Sequence, residues 1–112
     1  MGKYVMVVQS RPKPGRDAEY NVWYDGTHFR DVCAIPGVTG GRRFAATPLM
    51  IGGEGLGYLS IFEIEADDPA TVVAEMGRRS QDGTWQSSDA LDGAASVLWI
   101  YQQHEIAGRL AG

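Results

Sequence analysis

The chain has 112 residues, of which 44% are apolar and 21% charged, and its formal net charge is −4. That balance belongs to a globular chain rather than a disordered one, and the length fits a single domain over residues 1–112. A negative chain in which no more than two basic residues stand side by side argues against nucleic acid as a partner.

Residues 4–9, YVMVVQ, are apolar on both alternating faces and predict a strand. The chain enters this strand without the layout of a signal peptide, and no segment approaches the ~20 apolar residues of a membrane span. A soluble, cytoplasmic protein without a membrane partner is expected. SRPKPG breaks the strand. From Asp17 to Ala34 the pattern is helical, with Asp17 and Glu19 set favourably against the helix dipole. Pro36 ends it. Cys33 is the sole cysteine, which excludes an internal disulfide, and its helical setting reads as core packing rather than a nucleophile.

Strands are predicted over Val38 to Ala46 and Tyr58 to Glu65. The glycine-rich TPLMIGGEGLG between them does not lead from a strand into a helix, so it reads as a hairpin loop rather than a nucleotide loop. Its apolar Leu49 and Ile51 predict packing against a partner subunit or over a pocket mouth. DDPATVVAEMGRR predicts a second helix, capped by Asp67 or Asp68 with Pro69 in its first turn. A polar, turn-rich stretch around Trp85 follows, and SVLWIYQQ closes the pattern as a last strand.

The order β-α-β-β-α-β is that of an α+β, ferredoxin-like split βαβ unit. It implies a four-stranded antiparallel sheet with both helices on one face. Yet the first and last strands are apolar on both faces, so the helix-free face needs cover. The economical cover is a second copy packed sheet to sheet, giving a homodimer.

NVWYDGTHFRDV, residues 21–32, gathers the candidate chemistry. At about 100° per residue, Ala18, Val22, Phe29 and Cys33 form the stripe expected to face the sheet. Asn21, Asp25, His28 and Val32 form an adjoining stripe at its rim, flanked by Tyr24. A histidine there can exchange protons near neutral pH, with a carboxylate or phenol to orient its ring. The alternative is a histidine that only caps packing at the helix edge. Gly26 weakens the helix by ~1 kcal/mol relative to alanine, and Trp23 falls on the outer face. Either the helix changes phase at Gly26, or a loop or second subunit covers Trp23. Asp25, His28 and Asp31 drift round the helix, and His104 lies beyond the last strand, so no metal site is expected. Arg42 and Arg43 alternate, so one of them faces the interior, either to reach an anionic group or to lie solvated.

KPGRDAEYNVWYDGTHFRDVCAIPGVTGGRRF, with YLSIFEIE and LWIYQQ, resembles the dimeric α/β-barrel superfamily. The similarity is greatest to its EthD-like branch, named for a protein of ethyl tert-butyl ether degradation. The specific part is W-Y-D-x-x-H followed by I-P-G-V, here Trp23, Tyr24, Asp25 and His28, then Ile35 to Val38. Gly26 departs from the pattern, since helix-forming residues are usual there. The superfamily includes muconolactone isomerases, polyketide cyclases, cofactor-free monooxygenases and haem enzymes. The resemblance therefore implies a fold and a dimer more strongly than a reaction.

The expectation that joins these readings is a small catabolic or secondary-metabolic enzyme acting, without a bound cofactor, on an aromatic or apolar molecule. His28 would be the acid/base, with Tyr24 and Asp25 as its proton partners. Asn21, Arg43, Phe62, Trp85 and Trp99 would bind the substrate. Isomerase, cyclase or lyase chemistry suits these groups, with cofactor-free monooxygenation as the near variant. The rival is a non-catalytic dimeric binding protein of a degradation pathway, with a haem protein third.

Overall fold

Strand β1, Gly2–Ser10, holds an inner position in the sheet, as its apolar faces require. The computed structural model describes residues 1–47 and 56–105. A helical stretch follows without interruption as α1, Asp17–Trp23, a π-helical turn, Tyr24–His28, and α2, Phe29–Cys33. Strands β2, Val38–Ala45, and β3, Tyr58–Ala66, precede helix α3, Ala70–Gln81, and strand β4, Val97–Gln102. The sheet order is β2-β3-β1-β4, and every neighbouring pair is antiparallel. This is the ferredoxin-like fold. The connection carrying Leu49 and Ile51 lies outside the described residues.

Both helices lie on one face. Val32 of α2 and Val72 of α3 share a core with Met6, Phe62 and Ile64, which line up across β1 and β3. Asp68 starts α3 by accepting the Ala70 amide at 2.9 Å. On the opposite face Val5, Val7, Leu59 and Ile61 are flanked by Phe44, Trp99 and Tyr101. No element of the described chain covers that face, and Trp99 is 62% exposed there.

Two irregularities set which side chains point inward. The first is the π turn, in which the Phe29 amide reaches back five residues to the Tyr24 carbonyl. A π turn absorbs one more residue than an α turn. Positions four apart therefore keep to one face, and the buried stripe is Tyr20, Tyr24 and Val32. This corrects the expected stripe: Phe29 and Cys33 do pack on the core, but Ala18 is exposed and Val22 is 76% exposed. The second is a register shift between Val38 and Gly40 in β2. One extra residue reverses the alternation beyond it. Arg43 thereby lies opposite Ser60 on the helix face, while Arg42 lies opposite Ile61 on the open face.

Candidate active site

The helix-face stripe delivers two phenols and an imidazole to the sheet. Ser10 of β1 and Ser60 of β3, both buried, meet the phenols: Ser10 Oγ lies 2.5 Å from Tyr20 Oη, and Ser60 Oγ donates to Tyr24 Oη at 2.8 Å. A phenol has one proton and two lone pairs, so accepting from Ser60 leaves the Tyr24 proton free for another acceptor. Burial pushes the Tyr24 phenol up to about 12, against the opposing effect of the Ser60 hydrogen bond. Tyr24 is thus a proton-bearing donor across the whole neutral range.

His28 stands one turn further along, enclosed by rings. Its imidazole stacks on Trp23 at 4.7 Å between centroids and stands edge-on to Tyr24 at 4.9 Å and to Trp85 at 5.4 Å. Burial lowers its pKa to about 4; the nearby Asp31 charge opposes that shift and Arg43 adds to it. The ring is therefore neutral near pH 7 and carries a lone pair for a proton. Trp23 itself is covered by a loop of the same chain, its indole N–H donating to the Gln86 carbonyl at 2.8 Å. Both of the alternatives left open for Gly26 and Trp23 thus hold together, since the phase also changes at Gly26.

Tyr24 and His28 both face a cavity of about 160 Å³ between the helices and the sheet. Its walls include Val8, Val32, Phe62, Met76 and Leu91. A larger hollow at Lys3, Glu65 and Tyr101 holds no histidine and draws its walls largely from the open sheet face. An apolar cavity with a few convergent polar groups is the usual form of a small-molecule site.

The remaining candidate residues divide between three places. Phe62 lines the cavity, and Trp85 meets His28 from outside it. Asp25, Asn21 and Arg43 come together, but around the guanidinium rather than around His28. Arg43 donates to Asp25 Oδ1 at 2.5 Å and to Asn21 Oδ1 at 3.1 Å. Its guanidinium carbon lies 4.1 Å from the Tyr24 ring centroid and within 5.6 Å of those of Tyr20 and Tyr58. Asp25 is thereby engaged away from the imidazole, and Asp31 is the carboxylate whose field reaches it. Trp99 lies opposite Val7 on the open face and takes no part in the cavity lining.

Sequence reasoning did not single out Tyr20, Ser10, Ser60 or Leu91. Tyr20 carried a signal, being four residues before Tyr24. The serines sit in apolar strands with no local mark of their role, and Leu91 is placed by a tertiary contact.

No protein-family model matches the sequence, and no curated protein matches it. Solved structures do. The heme-degrader MhuD from Mycobacterium tuberculosis matches with a TM-score of 0.64 at 13% identity, over 94% of this chain and 99% of that one. A dimeric ferredoxin-like protein of unknown function from Jannaschia sp. CCS1 gives 0.62 at 10% identity, over 91% of this chain and all (100%) of the other. An ethyl tert-butyl ether degradation (EthD) family protein from Bacillus halodurans gives 0.58 at 12% identity, over 90% and 99%. At such identities the likeness is one of fold. The chain shares the ferredoxin-like fold with them.

Proposed function

We propose that the protein is a small enzyme that moves a proton on a neutral aromatic or apolar organic molecule held against His28 and Tyr24. The observation that carries this reading is their convergence on one apolar cavity, the imidazole neutral and the phenol protonated. Tyr24 donates to a carbonyl or phenolic oxygen of the substrate and steadies negative charge as it develops. His28 takes the proton from the adjacent carbon or hydroxyl. Exclusion of water strengthens both interactions. Enolisation, isomerisation, cyclisation and lyase reactions share this step, and oxygenation of an electron-rich phenol begins with the same deprotonation. The working unit is a homodimer formed over the open sheet face, which the apolar Val7, Ile61, Phe44 and Trp99 support.

One observation favours the rival reading. A pKa of about 4 makes His28 a weak base, which suits a protein that only holds its ligand. Proton NMR of an aryl ketone in deuterium oxide separates the two. Enzyme-dependent exchange of the carbon proton, lost in His28→Gln, is the expected result. Binding without exchange would establish the accessory role instead.

A further inference from the structure

His28 and Leu91 belong to two cavities at once. On one side lies the inner cavity already described, and on the other a second hollow, also about 160 Å³, walled by Trp23, Ser80, Trp85 and residues 86–88. The two side chains form the partition. We infer that this partition sets ligand size: the inner cavity takes one neutral six-membered aromatic ring bearing a hydroxyl or carbonyl, and Leu91 excludes a second fused ring. This rests on the reading that the ligand lies against His28 and Tyr24.

Volume, charge and polar groups each point the same way. An apolar cavity of about 150 Å³ holds one benzene, so about 160 Å³ leaves room for a ring and a small substituent. Among the described residues the inner lining contains no lysine, arginine, aspartate or glutamate, so an ionised ligand would be buried without a partner there. Two of its hydroxyls are already engaged, Ser10 with Tyr20 and Ser96 with the Asp92 carbonyl. The Tyr24 proton and the His28 ring remain to orient one oxygen.

Leu91 is held so that it cannot readily give way. Its backbone bridges to Pro12, and its neighbours are fastened on either side. The Lys13 amide donates to the Ala90 carbonyl at 2.7 Å, and the Asp92 amide to the Arg11 carbonyl at 3.0 Å. Arg11 also pairs with the Asp92 carboxylate at 3.1 Å. A side chain on so fixed a backbone leaves a void when truncated, because its surroundings collapse only in part. Leu91→Ala should therefore join the two cavities.

Calorimetric titration of the intact protein with phenol, 2-naphthol and benzoate tests this. The wild type should bind phenol about tenfold or more tighter than either of the others. Leu91→Ala, shown to be folded by circular dichroism, should prefer 2-naphthol. Should that variant fail to fold, Leu91→Val is read in the same way, with a smaller gain for the larger ring. Equal binding of phenol and 2-naphthol by the wild type, or an unchanged preference in a folded variant, overturns the size rule alone. Failure of the wild type to bind either ring compound overturns the site beside His28 as well.

Discussion

The Tyr24 ring stands edge-on to the His28 imidazole, their centroids 4.9 Å apart and their planes at 86°. This places a hydrogen-bond donor and a proton acceptor on adjoining walls of one cavity. Tyr24→Phe keeps the ring and removes only the hydroxyl. It should cost about 1–2 kcal/mol, because buried Ser60 loses its acceptor. Proton exchange should fall by about 10²-fold or more. Unchanged exchange at unchanged fold would remove Tyr24 from the chemistry.

His28 makes folding stability depend on pH in one direction. Its folded pKa, about 4, lies below its ordinary value of 6.5, so the unfolded chain binds the proton first. Stability is unaffected above about pH 6.5, declines as pH falls toward 4, and loses nothing more from this group below that. The loss at full protonation is on the order of 3 kcal/mol. In urea titrations His28→Gln should show a flatter profile through this window. Parallel profiles for variant and wild type would show that His28 is not held neutral.

Arg43 lies outside the inner lining and packs among three tyrosine rings. A lysine keeps the charge but loses the planar fork that reaches Asp25 and Asn21 together. Arg43→Lys should destabilise by about 1 kcal/mol and leave the affinity for a neutral ring compound unchanged. Loss of that affinity would assign Arg43 to substrate binding after all.

Two glycines should respond oppositely to alanine. A Cβ at Gly41 would meet the Phe62 ring at 2.7 Å and the Phe29 ring at 3.0 Å. Overpacking of this kind costs about 1–3 kcal/mol. A Cβ at Gly26 meets nothing within 4 Å, and the gain in helix propensity is about 0.5–1 kcal/mol. Thermal denaturation of the two variants checks both signs.

Trp99→Asp, on the open face opposite Val7, should turn the proposed dimer into a monomer in sedimentation at micromolar concentration. A wild-type protein that sediments as a folded monomer would remove the need for a second copy.

The order of elements and the single-sided placement of the helices were legible in the sequence. The apolar, β-branched and aromatic runs YVMVVQ and YLSIFEIE are local signals, and Pro36 and Pro69 punctuate them. The inward side chains were less legible, for a physical reason. A helical wheel assumes 3.6 residues per turn throughout, and the π turn at Tyr24–His28 breaks that assumption where the site begins. In β2 the shift between Val38 and Gly40 decides between Arg42 and Arg43, and it depends on pairing with β3. Asp25 was a natural partner for His28 by spacing, but the guanidinium supplied from β2 captures it.

Counted along its axis, the first helix carries one spare residue, and the surplus acts as an angular offset between its two ends. Rewound as uninterrupted α-helix at its full length, the segment would lose that offset. The residues before the turn would then swing by about 100° relative to those after it. Tyr20 and Tyr24 could no longer meet Ser10 and Ser60 while Val32 stayed in the core. Because no neighbour crowds the position, a small side chain fits at residue 26 as long as the turn keeps its wider winding. What this turn specifies is a phase, and the side chain at its centre is nearly free to vary.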